Sequence, residues 1–437
     1  YINVIGAGLA SCECAYQIAK RGINVRLFEM KPTKKTAAHK SDLFCELICS
    51  NSLKALRIES AAGLLKEEMR RLDSLLMRCA DKCAVPAGGA LAVNRDDFSA
   101  MVTKEIRNNP LIEVIEKEVT EIPNDAITVI AAGPLASEVL SAEIQKICGG
   151  GLSFFDAAAP IVTAESIDME KAFFASRYDK GGDDAYINCP MNKDEYEAFY
   201  EALVSAERTP LHGVDVQNPK VYEGCMPVEI LAQRGHDTLR FGPMKPVGLR
   251  DPRTGHRPWA VLQLRTENAE KSLYNLVGFQ TNLKFPEQKR VFSMIPALHD
   301  AEFIRYGVMH RNTFLDSPRI LNSDFSMKEN ANIFFAGQIT GVEGYMESGA
   351  SGLIAGINAV RRLNNIETVT LPKETMIGAL SRYIADESVK DFQPMGANIG
   401  ILPPLEEKIR DKRERAAKHS TCALDALEKV KVDFALA

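Results

Sequence analysis

Residues 1–30, YINVIGAGLASCECAYQIAKRGINVRLFEM, decide the fold. YINVI is an apolar strand, GAGLAS a tight turn, CECAYQIAKRG a helix stopped by Gly22, and INVRLFEM a second strand. The turn reads G-x-G-x-x-S over Gly6, Ala7, Gly8, Leu9, Ala10 and Ser11. Gly6 makes the turn, and Gly8 lets a pyrophosphate approach the backbone. The third position needs a small residue for helix packing, so Ser11 is a mild departure. The pyrophosphate would rest on the helix N-terminus. Glu29, at the end of the second strand, is placed for ribose hydroxyls, and an acid there disfavours a 2′-phosphate. Strand, turn, helix, strand and acid together predict a dinucleotide-binding unit.

Two later segments indicate which dinucleotide. AITVIAAGPLAS (126–137) is an apolar strand running into Ala132-Gly133-Pro134. NIFFAGQITGVEGYMESGASGLIAGINAVRRL (332–363) reads as a strand, then Gly337-Gln338, a loop and a helix. Glycines 349, 352 and 356 permit that helix to pack closely. This arrangement resembles two-part FAD-binding flavoproteins, in which a late strand and the following helix N-terminus meet the flavin. The alternative is the last strand–helix unit of an NAD-binding sheet, and FAD is the preferred reading.

At 437 residues the chain is long enough for two domains or one domain with a large insertion. Hydrophobic content of 46% and charged content of 25% are those of an ordinary globular protein. No run approaches the ~18 apolar residues of a membrane-spanning helix. The N-terminus enters a strand without a signal peptide's basic and apolar regions, and a cytoplasmic location is expected. LLKEEMRRLDSLLMR (64–78) carries the periodicity of one amphipathic helix. PAGGALAV (86–93) reads as a glycine-rich turn into a strand. The expected architecture is α/β: a Rossmann-like FAD-binding domain in two parts, 1–155 and 326–437, around an inserted α/β domain at 156–325.

Ten cysteines include no C-x-x-C pair, so zinc ribbons and thioredoxin-like motifs are unsupported and no metal is expected. Two cysteines stand apart. Cys225, in VYEGCMPVE (221–229), lies between Gly224 and Pro227, which together shape a loop. Cys49, in CELICSNSL (45–53), lies between an apolar run and a polar turn. Taken singly, each is more often a buried structural thiol than a nucleophile.

Net charge is −5, with no overall basic footprint for nucleic acid. Its distribution is uneven. Residues 240–265 hold six bases against one acid, Asp251, in a Gly/Pro-rich stretch, and arginines on loops suit phosphate contacts. KIRDKRERAAK (408–418) has six bases against two acids, Asp411 and Glu414, and reads as a solvated helix face.

GAGLAS, LICSNSL, GLLKEEMRRL, VPAGGALAV, YEGCMPVE, RFGPMKPVGLRDPRTG, NLVGFQT, YGVMHRNTF and FAGQITGVEGYMES follow one another along nearly the whole chain. In these motifs the chain resembles the folate- and FAD-dependent tRNA (uracil-5-)-methyltransferases, the TrmFO family. The resemblance implies methylation at C5 of the T-loop uridine of tRNA (position 54). It implies 5,10-methylenetetrahydrofolate as one-carbon donor and NAD(P)H as electron source through FAD. Cys225 would add to uracil C6, and Cys49 would handle the C5 proton or protect the site. Tyr345 would stack on flavin or pterin, or else simply pack. Arg250, Arg253 and Arg257, in the inserted domain, would contact the T-arm. The same chemistry on a 23S ribosomal uridine is an open alternative. So is an RNA-independent flavin oxidoreductase. The related group that builds carboxymethylaminomethyl uridine is disfavoured by Gly-Cys-Met-Pro.

Overall fold

The computed structural model describes residues 1–36, 39–149, 152–157, 159–179, 186–210, 226–267, 271–307, 309–389, 392–407 and 409–434. Its centre is a five-stranded parallel sheet. Strand β1 (Ile2–Ile5) is wholly buried and pairs with β2 (Val25–Glu29) on one side and with Thr128–Ile130 on the other. Ile112–Glu116 extends the sheet beyond β2, and Ile333–Phe335 extends it beyond Thr128–Ile130. Helix α1 (Leu9–Lys20) makes the crossover from β1 to β2. The strand contributed by residue 333 onward closes a sheet begun at residue 2, so the domain is assembled from both ends of the chain.

Helix Tyr345–Leu363 packs along α1, and glycine sets how closely. A Cβ added at Gly352 would stand 2.0 Å from the Ala10 carbonyl oxygen, and one at Gly356 would stand 2.8 Å from the Cys14 carbonyl oxygen. Backbone cannot yield as a flexible side chain can, so the spacing of these two helices depends on residues without side chains.

The stretch read as a single amphipathic helix at 64–78 is two helices, Ala61–Arg71 and Leu75–Lys82. Asp73 adopts a left-handed φ of 57°, and the Ser74 side chain accepts the Met77 N–H to start the second helix. Apolar periodicity runs through the break because both helices face the same core. The buried carboxylate of Glu13 holds that start, accepting the Ser74 hydroxyl at 2.7 Å and the Leu76 N–H at 3.0 Å. Glu68 does likewise for helix Met376–Tyr383, accepting the Met376 and Ile377 N–H groups at 2.7 and 2.9 Å.

Between the two parts of this domain, the chain departs along Leu152–Ala157 and returns along Met309–Phe314, paired antiparallel. The material between them builds a second sheet of six strands with antiparallel neighbours. Their order is Phe173–Phe174, Ile187–Met191, Ala260–Thr266, Leu273–Leu276, Ile161–Thr163 and Phe303–Arg305. This sheet has its own apolar core, including Tyr196, Phe199, Phe279 and Phe292. Each such fully buried side chain contributes roughly 1.5–3 kcal/mol. The basic stretch at 408–418 begins helix Lys412–Phe434, with its first bases exposed, as a solvated face requires. Among the described residues no helix is long and apolar enough to cross a membrane. No group of three or more metal-ligating side chains converges among them.

Candidate active site

A cavity of about 430 Å³ opens where the parallel strands end, within the usual range for a cofactor site. Its walls are the 6–10 turn, the end of β2, residues 131–137, Gly337-Gln338, the start of helix Tyr345–Leu363, and the loop around Cys49. Gln280, from the second body, also reaches it.

Gly6, Ala7, Gly8, Leu9, Ala10, Glu29, Gly133, Gly337, Gln338 and Tyr345, all expected to bind cofactor, line this space. Gly6 has φ 100°, and a Cβ there would stand 2.8 Å from the Ala132 Cα. A Cβ at Gly8 would meet no protein atom within 4 Å, so a phosphate can approach the backbone there. The Glu29 carboxylate accepts the Ala7 N–H at 2.8 Å and the Lys31 N–H at 2.9 Å, which fixes it between the turn and the strand end. Two helix N-termini, at Leu9 and Tyr345, border the cavity and favour negative charge within it. These residues fit a flavin adenine dinucleotide. Ser11 is off the cavity wall. Its hydroxyl accepts the Gly8 N–H at 3.1 Å and donates to the Ala131 carbonyl at 3.0 Å, bracing the turn from behind. The serine thus serves the turn's geometry in place of a small packing residue.

Cys49 and Tyr345, 296 positions apart, meet on the wall. The Tyr345 phenol oxygen accepts the Cys49 N–H at 2.9 Å and the Ser50 N–H at 3.3 Å, and lies 3.0 Å from Cys49 Sγ. Two backbone donors occupy the phenol's lone pairs, so its own proton is directed at the sulfur. Burial pushes the Tyr345 phenol well above its ordinary pKa, the Cys49 charge adds to this, and Arg95 opposes it. The phenol therefore stays protonated and serves Cys49 as a donor. This hydrogen bonding defines a role for Tyr345 other than stacking.

Three arginines brace the same loop from behind. Arg95 donates to the Leu47 and Ile48 carbonyls at 2.8 and 3.2 Å, and Arg305 donates to the Ile48 carbonyl at 2.7 Å. Arg265 reaches Ser50 Oγ at 2.7 Å and Asn51 Oδ1 at 3.0 Å. Arg265 belongs to the basic 240–265 stretch, but it is 7% exposed and engaged with protein. Glu267 pairs with Arg95 at 2.6 Å and acts through space on the other two. Burial lowers the pKa of Arg265 and of Arg305. The Ile48 carbonyl and the Cys49 N–H belong to one planar peptide group, so holding that carbonyl on Arg95 and Arg305 turns the Cys49 amide the other way, toward Tyr345.

Lys54 also borders the cavity, with φ 65° and its ammonium 2.6 Å from the buried Glu347 carboxylate. Lys54, Glu343, Glu347, Gln280, His39 and Glu46 were not singled out from the sequence. Glu343 and Glu347 lie inside the quoted FAGQITGVEGYMES motif, Glu46 inside CELICSNSL and Gln280 inside NLVGFQT, so their neighbourhoods were visible; Lys54 and His39 became neighbours of the site only through the fold.

Cys225 lies outside the described residues. Pro227 and Val228 follow it, and the Val228 N–H donates to the carbonyl of cavity-lining Gln280 at 2.7 Å. Arg250, Arg253 and Arg257 are exposed and do not line the cavity. Arg250 donates to the Gly255 carbonyl at 3.0 Å, while Arg253 pairs with Asp251 at 2.7 Å. Burial pushes the Cys79 and Cys148 thiols up to about 12, consistent with inert structural roles.

A family model described as glucose inhibited division protein A matches residues 1–367. Two proteins named methylenetetrahydrofolate--tRNA-(uracil-5-)-methyltransferase TrmFO, from Acetivibrio thermocellus and Desulfitobacterium hafniense, are each 59% identical to the chain. The matches run over 429 and 431 residues and cover 98% of this chain and 98% of each relative. A namesake from Streptococcus agalactiae is 58% identical over 439 residues, again with 98% coverage of both. Among solved structures, Aquifex aeolicus GidA in its form II crystal superposes with a TM-score of 0.71 at 16% identity. That match covers 100% of this chain and 73% of the other, and it bears out an α/β, Rossmann-like fold with a further domain. Likeness to proteins of one name over nearly the full length of both chains carries the relation past fold alone: the chain belongs to the TrmFO family, within the wider group that the glucose inhibited division protein A model describes.

Proposed function

We propose that the chain methylates C5 of a tRNA uridine with 5,10-methylenetetrahydrofolate as carbon donor. The observation that carries this is the identity of 59% over 98% of the chain to methyltransferases of that name. The cavity supports it, with a dinucleotide turn on one side and Cys49 on the other. The finer reading is the T-loop uridine, FAD in the cavity, and NAD(P)H as the source of electrons. Bound FAD would supply the two electrons that separate a methylene from a methyl group. The 6–10 turn would hold its pyrophosphate, Glu29 a ribose, and the N-terminus of helix Tyr345–Leu363 any charge on its ring.

The remaining work falls to the protein's thiols. Uracil C5 is a weak nucleophile. A Cys225 thiolate adding to C6 breaks the C5–C6 π bond and sends its electron pair into the enolate at C4. That enolate attacks the donated methylene carbon through C5. The C5 proton then leaves to a base while the bond from the methylene carbon to its donor nitrogen breaks, the pair going to nitrogen and leaving an exocyclic methylene on C5. A hydride equivalent, the two electrons that bound FAD would supply, makes that carbon a methyl group as the thiolate is expelled from C6 and the C5–C6 double bond is restored. Cys49, held as hydrogen-bond acceptor by Tyr345, is our choice for the proton's acceptor. Val228, three positions after Cys225 in the sequence, donates its N–H to the carbonyl of Gln280 on the cavity wall. Residues 156–325 would form the RNA-binding insertion between FAD-binding parts 1–155 and 326–437, with Arg250, Arg253 and Arg257 on the T-arm. A tRNA-modifying role places the protein in the cytoplasm with its substrate.

The test supplies FAD, NADPH and methylenetetrahydrofolate to the protein with unmodified tRNA or a large-subunit ribosomal RNA fragment. Nucleoside mass spectrometry should find 5-methyluridine in the tRNA alone. The modified nucleoside in ribosomal RNA alone would move the substrate. NADPH consumption without either product would leave a flavin oxidoreductase.

A further inference from the structure

We infer that Tyr178 is a stacking platform for an unpaired base of the RNA substrate, on a surface apart from the cavity. The inference rests on the proposed RNA substrate. Tyr178 sits at φ 58° and ψ 29°, a left-handed conformation that a bulky side chain adopts at a cost. Neighbouring bonds hold it there. The Tyr178 N–H donates to the Gly248 carbonyl at 3.0 Å. Arg177 donates to the Val247 carbonyl and to Gln263 Oε1, each at 2.9 Å.

The ring's placement follows from Gly248. A Cβ there would stand 2.9 Å from Tyr178 Cζ and 3.0 Å from both Cε1 and Cε2. Near-equal distances to these three atoms put one face of the ring over the glycine. Tyr178 as a residue is still 58% exposed, so the face turned away from the glycine is presented to solvent. Gly248, itself at φ 84°, is the residue that lets the ring lie there.

Charge selects the occupant. The ring rests on the basic 240–257 segment, where Lys245, Arg250 and Arg257 are exposed. The segment's acid, Asp251, is already paired with Arg253. Phe241, on the same segment, is 83% exposed. A flat, solvent-facing aromatic surface among cations is what single-stranded nucleic acid requires: bases stack on the ring and phosphates meet the bases around it. An acidic protein would use the cations but not the open ring face.

The experiment measures affinity of the FAD-loaded full chain for unmodified tRNA by fluorescence anisotropy across a salt series. Tyr178→Ala should weaken binding about tenfold to a hundredfold, the range for one stacked base. Its slope of log affinity against log salt should match wild type, because stacking releases no counterions. Tyr178→Phe should restore binding, and Lys245→Ala should instead flatten the slope by about one. Wild-type affinity in Tyr178→Ala would overturn the inference. So would a loss accompanied by lower flavin content or thermal stability, since the tyrosine would then be structural. An altered sedimentation coefficient with unchanged RNA affinity would make the patch a contact between copies. No RNA binding by wild type would remove the RNA reading, and this inference with it.

Discussion

Cys49 and Tyr345 share a hydrogen-bond geometry with a chemical consequence. The phenol oxygen accepts from two backbone amides and its O–H donates a hydrogen bond to sulfur, which stabilises the thiolate relative to the thiol. Tyr345→Phe removes that donor. The pH midpoint for alkylation of Cys49, followed by mass spectrometry of the peptide, should rise, and methylation should fall about tenfold. An unchanged alkylation profile would mean the sulfur is not held as an acceptor. Cys225, proposed above as the nucleophile, makes a different demand: if it has that role, no bond to C6 forms without its sulfur. Cys225→Ala should keep flavin absorbance and lose all 5-methyluridine; any retained methylation displaces it as nucleophile. Glu29, the glycines of the turn and the motif around Cys49 were legible in the sequence because each is part of a contiguous pattern. Tyr345 was visible as a residue but not as the partner of Cys49, since nothing local links positions 296 apart.

Helices in this fold are set by what replaces a side chain or a cap. Gly352→Ala would drive a methyl into the Ala10 carbonyl, and Ala10 is on the cavity wall. The expected loss is about 1–3 kcal/mol of stability with weaker FAD retention, read by thermal melting and flavin content. The Glu68 cap predicts a pH dependence. Burial raises its carboxyl from 4.5 to about 8, opposed by the Ile377 and Met376 N–H groups, whose donated hydrogen bonds favour the charged form. Between those values the folded chain keeps a proton that the unfolded chain has released. Stability therefore falls as pH rises through that window, by an amount on the order of a few kcal/mol. Glu68→Gln should abolish this slope in denaturant titrations, and a slope that persists would assign it to another group. The glycines of the long helix were readable from sequence as a packing stripe. The break at Asp73 was not, because two helices sharing one core keep a common apolar period across a three-residue turn.

At the scale of the whole molecule, the cavity is lined by the first body apart from Gln280, and its Cys49 wall is held by both. Arg265 and Thr266, from the second sheet, fasten Ser50 and Asn51, while Arg305 and Arg95 fix the carbonyls before them. A basic stretch that composition assigns to RNA is thus divided: its last arginine is buried behind the thiol loop, and Lys245, Arg250 and Arg257 remain on the surface. Charge counts cannot make that division, since it depends on which residues enter a buried strand. The two-part Rossmann architecture was readable because each half carries its own glycine signature. The central claim is that the folate methylene carbon becomes the methyl group of a tRNA uridine. The most direct measurement supplies methylenetetrahydrofolate carrying a carbon-13 label in its methylene, with FAD, NADPH and unmodified tRNA, and examines the nucleosides by mass spectrometry. The account predicts labelled 5-methyluridine that depends on both NADPH and tRNA. Unlabelled 5-methyluridine, or none while NADPH is consumed, would contradict it.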